Sequence, residues 1–237
     1  MEDICIIKQP AGLGDILYTI KIAALILSRK KAKRIIWPVS SVYRYISDYI
    51  KVQGVEFVDE TSGFEGKNVY NGDRRGINII DNILFVNLHR ADEIVATSNN
   101  NKPMYCKYEL VGLDYVDWHD FVKIKRDYDR EKKLENYINP PASFKLVNRV
   151  FCTYPEVQIA PIPKQDTEVQ IVKTDFDNIF DWCGLIERCE EFHTVETSFC
   201  YIAKLLGVKN IFVYPRNRET DFKYISRIFP NDWKFVG

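Results

Sequence analysis

The feature that most constrains this chain is an apolar run that leads through a glycine turn into a long apolar helix pattern. Residues 4–7 are Ile-Cys-Ile-Ile, residues 9–12 are Gln-Pro-Ala-Gly, and a helical pattern runs from residue 13 to about residue 28. A strand that enters a helix through glycines presents free backbone N–H groups at the carboxyl edge of an open α/β sheet, which is where ligands bind. The pattern therefore predicts a ligand-facing corner near the amino terminus.

Asp15 lies in the first turn of this predicted helix, and two interpretations of it are open. A carboxylate at this place stabilises a helix by capping exposed N–H groups and complementing the helix dipole. A carboxylate at the edge of a sheet is also suited to act as a general base in a cleft. The turn contains Gly12 and Gly14 but matches neither the dinucleotide-binding fingerprint nor a P-loop.

The same alternation of strand and helix continues along the chain. Apolar runs at residues 34–38 and 55–58 predict strands, with a helix at 40–50 between them. Such a βαβαβ run predicts a parallel, doubly wound sheet. Two further runs, at 77–80 and 83–86, predict one or two strands, and His89 follows the second. We expect His89 to be either a partly exposed loop residue or an acceptor or phosphate contact.

Asn139-Pro140-Pro141 stops a helical pattern and predicts a domain boundary, so that residues 1–140 form one domain and residues 141–237 a smaller one. The second domain begins with a predicted strand at 145–151. Asn148 and Arg149 lie towards the end of this strand. A guanidinium can bind phosphate with two hydrogen bonds, so Arg149 is either a phosphate contact or a surface arginine.

A second strand-to-helix corner lies at Glu196, Thr197 and Ser198, between a short strand and a helix that ends at Gly207. Hydroxyls and free N–H groups at a helix amino terminus can hold phosphate, and a carboxylate beside them can accept hydrogen bonds from ribose hydroxyls. The alternative is an ordinary helix cap formed by Thr197 or Ser198.

Composition excludes several classes of function. The 33 basic and 33 acidic residues give a formal net charge of +0, which argues against non-specific nucleic-acid binding. We find no signal peptide or transmembrane segment. No cysteine pair has the CxxC spacing of a zinc site, so we predict no metal ligands, and cysteines within apolar runs suit a cytoplasmic protein.

Residues 12–19, Gly-Leu-Gly-Asp-Ile-Leu-Tyr-Thr, resemble the amino-terminal motif of the ADP-heptose:lipopolysaccharide heptosyltransferases and their relatives. The resemblance implies an inverting, metal-independent glycosyltransferase of the GT-B architecture, in which two Rossmann-like domains face a cleft. It implies that Asp15 is the catalytic base. It also places Gly12, Leu13 and Gly14 in a loop that contacts acceptor or phosphate.

The second corner resembles the nucleotide-sugar motif of the same family, in which Asp-Ser/Thr-Gly precedes a helix. Here Glu196 stands for the Asp, Thr197 matches the hydroxyl, Ser198 replaces the Gly, and Tyr201 replaces a His. These departures also leave room for a more distant GT-B group, such as the fucosyltransferase-like enzymes. In these relatives a basic residue near Arg149 holds the donor phosphates.

These observations together predict transfer of a sugar from a nucleoside-diphosphate donor to a hydroxyl of a glycan or glycoconjugate, with inversion and without a metal or other cofactor. The predicted donor contacts are Asn148, Arg149, Glu196, Thr197 and Ser198. Two alternatives are a non-catalytic nucleotide- or sugar-binding module on the same fold and a nucleotide-sugar epimerase.

Overall fold

The computed structural model describes residues 2–89, 91, 103–151, 158–172, 178–216 and 226–236. The chain divides into two compact units, Met1–Lys125 and Arg126–Gly237. Each unit contains a five-stranded sheet. The predicted fold class, α/β with mostly parallel sheets, is confirmed.

The described elements of the first unit alternate between strand and helix. In chain order they are β1 (Glu2–Lys8), α1 (Leu13–Ser28), β2 (Ala32–Val39), a 3-10 helix at Ser41–Tyr43, α2 (Ile46–Tyr49), β3 (Val55–Asp59), α3 (Lys67–Asn71), β4 (Gly76–Ile80), β5 (Ile83–Asn87), α4 (Pro103–Leu110) and a 3-10 helix at Trp118–Phe121.

The sheet of the first unit has the strand order β3-β2-β1-β5-β4, in which β4 alone among these described strands is antiparallel to its neighbour. Residues Ile4, Cys5, Ile6 and Ile7 of the central strand β1 are at most 5% exposed. A strand buried on both faces is typical of a parallel sheet that is covered on both sides. The strand order reverses between β1 and β5, so the carboxyl ends of these two strands form the switch point at which such sheets bind ligands.

The described elements of the second unit follow the same scheme. They are α5 (Tyr128–Ile138), β6 (Lys145–Asn148), β7 (Val150–Phe151), β8 (Gln158–Ile159), β9 (Glu168–Gln170), a 3-10 helix at Ile179–Trp182, α6 (Cys183–Arg188), β10 (Glu191–Val195), α7 (Ser198–Leu205), β11 (Ile211–Tyr214), a 3-10 helix at Ser226–Ile228 and β12 (Lys234–Phe235).

The five-stranded sheet of the second unit has the order β12-β11-β10-β6-β9, and its pairs are parallel. In chain order this is the 2-1-3-4-5 arrangement of doubly wound proteins, with the switch point between β6 and β10. The predicted strand at 145–151 ends at Asn148 instead, because the next residues leave the sheet and form the β7–β8 hairpin.

The helix α5 belongs to the second unit, whereas the sequence suggested a boundary after it. Arg130 bonds both carboxylate oxygens of Asp181, at 2.9 and 2.7 Å. Arg126 forms an ion pair with Glu187 at 2.7 Å and another with Glu131. These pairs bind the helix to residues 179–188. Within the described residues, no helix is both long and apolar enough to cross a membrane.

Candidate functional site

The glycine turn of the first unit brings Asp15 to the carboxyl end of β1. Gly12 precedes α1 with φ +78°, a conformation that glycine adopts without strain. The Asp15 side chain folds back over Gly12, so that a β-carbon on Gly12 would overlap Asp15 Oδ2. A side chain at position 12 would therefore strain the backbone and force the Asp15 carboxylate to move.

Lys107, which sequence reasoning missed, reaches this corner from α4. Its Nζ lies 2.9 Å from Asp15 Oδ1, 2.5 Å from Gln9 Oε1 and 3.3 Å from the Leu88 carbonyl oxygen. Gln9 is itself 2% exposed and its carbonyl oxygen accepts a hydrogen bond from Trp37 Nε1. The lysine thus joins the turn after β1, the end of β5 and the candidate base. Asp15 interacts with this ammonium, which differs from the simple helix-capping interpretation.

The other predicted residues of the first unit lie at the same edge. The backbone N–H of His89 donates to the Lys8 carbonyl oxygen at 2.9 Å, which places His89 directly beyond β5 and beside the end of β1. Its side chain is half-buried. Leu13 and Gly14 are buried in the first turn of α1. The fold therefore gathers Gly12, Leu13, Gly14, Asp15 and His89 around one switch point.

A buried polar cluster lies at the switch point of the second sheet. Asn148, which is 1% exposed, donates from Nδ2 to Thr194 Oγ1 at 3.1 Å and to Thr197 Oγ1 at 3.3 Å. Thr197 also caps α7, since its hydroxyl accepts from the Phe199 N–H at 3.4 Å. The capping interpretation of Thr197 is confirmed, and Ser198 follows as the first residue of the helix. The cluster joins the carboxyl ends of β6 and β10.

Glu196 lies between this cluster and Arg216, a residue that the sequence did not single out. Arg216 Nε is 2.9 Å from Glu196 Oε2 and donates to the Glu196 carbonyl oxygen at 2.8 Å. Arg216 is the second residue after the end of β11, so the pair bridges the ends of two neighbouring strands. Cys200 lies four residues after Glu196, in α7. Burial raises the pKa of its thiol to about 12.

The hydrogen-bond donors of Arg149 are bound to a carboxylate and to backbone carbonyl oxygens of the second unit. Its two terminal nitrogens bond the two carboxylate oxygens of Glu168, one of them at 2.8 Å. Nε donates to the Ile162 carbonyl oxygen at 3.1 Å, and Nη2 also donates to that of Pro163 at 3.2 Å. Hydrogen bonding to Glu168 raises the pKa of Arg149, and the same bond lowers the pKa of Glu168. This geometry favours a structural role, in which Arg149 fastens the segment after β8 to the sheet.

Carboxylate pairs of the form Asp-X-Asp occur twice in the sequence, at residues 127–129 and 175–177. The first begins α5, where Asp127 Oδ1 accepts from the Arg130 N–H at 3.1 Å as a helix cap. The second lies outside the described residues. In the part of the chain that the structure describes, no group of three or more His, Cys, Asp or Glu side chains could hold a metal ion.

Two α/β units, each with a mostly parallel sheet and polar side chains at its switch point, match the two Rossmann-like domains of the GT-B fold. Solved structures confirm this likeness. A family 9 glycosyltransferase from Veillonella parvula superposes with a TM-score of 0.50 and 9% identity, over 91% of this chain and 81% of that chain. The iron-containing dodecameric glycosyltransferase TibC from enterotoxigenic E. coli superposes with a TM-score of 0.52 and 10% identity, over 90% of this chain.

A second structure of TibC, described as a heptosyltransferase in complex with ADP-D-β-D-heptose, gives a TM-score of 0.51 at 10% identity over 90% of this chain. The chain spans 60% and 58% of the length of these two TibC chains. No protein-family model matches the sequence, and no curated protein matches it. The resemblance predicted from the two short motifs is thus confirmed at the level of the fold.

Proposed function

We propose that this protein is a glycosyltransferase that moves a sugar from a nucleoside-diphosphate sugar to a hydroxyl, with inversion at the anomeric carbon. The observation that carries the proposal is the Asp15 carboxylate, held at a switch point by Lys107 with its side chain 35% exposed. A carboxylate that is fixed in place and still open to solvent suits a general base. The likeness of the fold to family 9 glycosyltransferases supports the same reaction class.

In the proposed reaction, Asp15 accepts the proton of the acceptor hydroxyl. The hydroxyl oxygen forms a bond to the anomeric carbon as the bond from that carbon to the diphosphate oxygen breaks. The nucleoside diphosphate leaves with the electron pair, and the single displacement inverts the configuration. The acceptor is a glycan or glycoconjugate, and the domain that contains Asp15 contacts it.

The donor binds at the switch point of the second unit in this proposal. Thr197 and Ser198 begin α7, and the free N–H groups of a helix amino terminus favour an anion such as a diphosphate. Glu196 accepts hydrogen bonds from the ribose hydroxyls. Asn148 holds Thr197 in place through the hydrogen bond between their side chains. Arg149 reaches a phosphate only by giving up Glu168, so its predicted phosphate contact is the least supported part of the donor site.

A thermal-shift panel of UDP, GDP, ADP and their sugars tests the donor. A ligand that binds the folded state raises the melting temperature by mass action. We expect one nucleotide and its sugars to raise the melting temperature. If none of them does, the proposed donor site is wrong. Release of nucleoside diphosphate from the best sugar is then measured with EDTA and with added Mg²⁺. A metal-independent enzyme gives the same rate in both.

The same assay separates the alternatives. A binding module shifts its melting temperature with a nucleotide sugar but releases no nucleoside diphosphate. An epimerase converts the donor sugar without an acceptor and also releases none. A transferase releases nucleoside diphosphate, slowly to water and faster when glycan acceptors are supplied.

A further inference from the structure

Lys107 is a buried cation that none of the predicted roles uses. Its side chain is 6% exposed, and its three oxygen partners are Asp15 Oδ1, Gln9 Oε1 and the Leu88 carbonyl oxygen. Gln9 Oε1 and the Leu88 carbonyl oxygen accept hydrogen bonds from the ammonium, and the Asp15 carboxylate is its ion-pair partner. A buried charge is tolerated only when it is paired and hydrogen-bonded in this way. The ammonium is therefore fixed in position by groups from three parts of the first unit.

This fixed ammonium determines which oxygen of Asp15 is available. Oδ1 is bound to Lys107, whereas Oδ2 lies over Gly12 and has no hydrogen-bond partner among the residues that the structure describes. Because Gly12 has no side chain, Oδ2 can occupy the space that a β-carbon at position 12 would need. The ion pair with Lys107 and the packing of Oδ2 over Gly12 restrict the orientation of the carboxylate.

We infer that Lys107 is the positioning residue of the catalytic base. It holds Oδ1, so that Oδ2 is the oxygen that takes the proton from the acceptor. Lys107 itself contacts no reacting atom and acts through Asp15. This inference rests on the proposed function, because it assigns a role within the same reaction. Small displacements of a catalytic group lower the rate steeply, which is why a second residue that fixes the group matters.

A purely structural lysine would have similar burial, and the chain offers one for comparison. Lys21 is 5% exposed and its Nζ lies 2.6 Å from Asp117 Oδ1. Its partner Asp117 lies in a turn and its side chain is 53% exposed. Lys21 and Asp15 are both on α1, yet Lys21 bonds neither Asp15 nor Gln9 among the described residues. Lys21→Met is therefore the matched control for Lys107→Met.

The first test uses thermal unfolding and needs no substrate. The melting temperatures of Lys107→Met, Asp15→Ala and the double variant form a cycle that measures coupling between the two residues. In the wild-type background, we expect Lys107→Met to lower the melting temperature. In the Asp15→Ala background, we expect the same substitution to lower the melting temperature by less than half as much, or to raise it. Lys21→Met should give the same drop in both backgrounds. Additive effects of Lys107→Met and Asp15→Ala would overturn the inference.

The second test separates a positioning role from a structural one. With the nucleotide sugar that gives the largest thermal shift, we expect Lys107→Met to lower kcat for diphosphate release at least tenfold and to change KM less than twofold. Lys21→Met should keep both values within twofold of wild type. A kcat for Lys107→Met equal to that of Lys21→Met would overturn the inference while leaving the proposed function intact. A wild type that consumes no nucleotide sugar would overturn the proposed function, and the unfolding cycle would still decide whether Lys107 holds Asp15.

Discussion

Gly12 and Asp15 pack so closely that a side chain on the glycine would overlap the carboxylate. The two residues are three positions apart in the sequence, at the corner between β1 and α1, and the Asp15 carboxylate fills the space that a side chain at position 12 would need. The arrangement explains why the corner needs glycine at this position and leads directly to a substitution that tests it.

We expect Gly12→Ala to displace the Asp15 carboxylate and to lower diphosphate release at least tenfold. The positive φ of +78° adds a stability cost of roughly 1–2 kcal/mol for an L-residue. Gly112→Ala is the control, because Gly112 also has a positive φ of +63° but nothing within 4 Å of a β-carbon. If the two variants lost the same activity, backbone strain alone would explain the loss.

Arg149 and Glu168 provide a second test, on the predicted phosphate contact. Both side chains are 14% exposed, and Arg149→Gln removes the ion-pair partner of Glu168, whose carboxylate keeps the hydrogen bond from the Gln165 N–H. We expect urea unfolding to show a loss of about 1–3 kcal/mol. The thermal shift given by the nucleotide sugar should be unchanged relative to the apo variant. A shift that disappears while stability is retained would restore Arg149 to the donor site.

The Asn148 side chain should matter for both stability and donor binding. Asn148→Ala removes the donor to the buried Thr194 hydroxyl and one of the two donors to the half-buried Thr197 hydroxyl, which we expect to cost about 1–3 kcal/mol in the free energy of unfolding. The nucleotide-sugar thermal shift should fall because the start of α7 is no longer held. Asn210→Ala is the control, since Asn210 is exposed and its side chain bonds only the Glu190 carbonyl oxygen among the described residues. An unchanged thermal shift in Asn148→Ala would place the donor elsewhere.

His193 should make stability depend on pH. It is 3% exposed, stacks on Phe212 and bonds Tyr214 and Glu191, and burial lowers its pKa below the ordinary value of 6.5. The unfolded chain therefore binds a proton at a higher pH than the folded protein, so the free energy of unfolding falls as the pH drops below 6.5.

The measurement is urea unfolding at pH 7.5 and 5.5, for the wild type and for His193→Gln. We expect the wild type to lose up to about 1 kcal/mol more than the variant over this interval, since one pKa unit corresponds to about 1.4 kcal/mol. The control is built in, because His89 and His119 are present in both proteins. Equal losses would show that the pH dependence comes from another group.

The sequence predicted the sheets well because their evidence is local. Residues 4–7 form a continuous apolar run, and such a run between turn residues is typical of a buried parallel strand. The structure places them in β1, at the centre of the first sheet. The corners at Asp15 and Glu196 follow from the same local evidence, since each lies directly after a strand and at the start of a helix.

The parts that the sequence missed depend on distant residues. Lys107 bonds Gln9, 98 positions away, and nothing in the spacing around Lys107 distinguishes it from a surface lysine. Arg149 resembled a free strand-end arginine because Glu168 lies 19 positions further on. The prolines after the helix Tyr128–Ile138 predict a boundary there, whereas the ion pair between Arg130 and Asp181 joins this helix to the second unit.

The most direct test of the account is the rate of nucleoside-diphosphate release by Asp15→Asn, measured with the nucleotide sugar that stabilises the wild type most. Asparagine keeps the shape of the side chain and an oxygen for Lys107, but it removes the base. We expect at least a hundredfold slower release, as general base catalysis contributes about 10²–10⁴-fold, with the thermal shift by the donor retained. Release at the wild-type rate would contradict the assignment of Asp15 and the mechanism that depends on it.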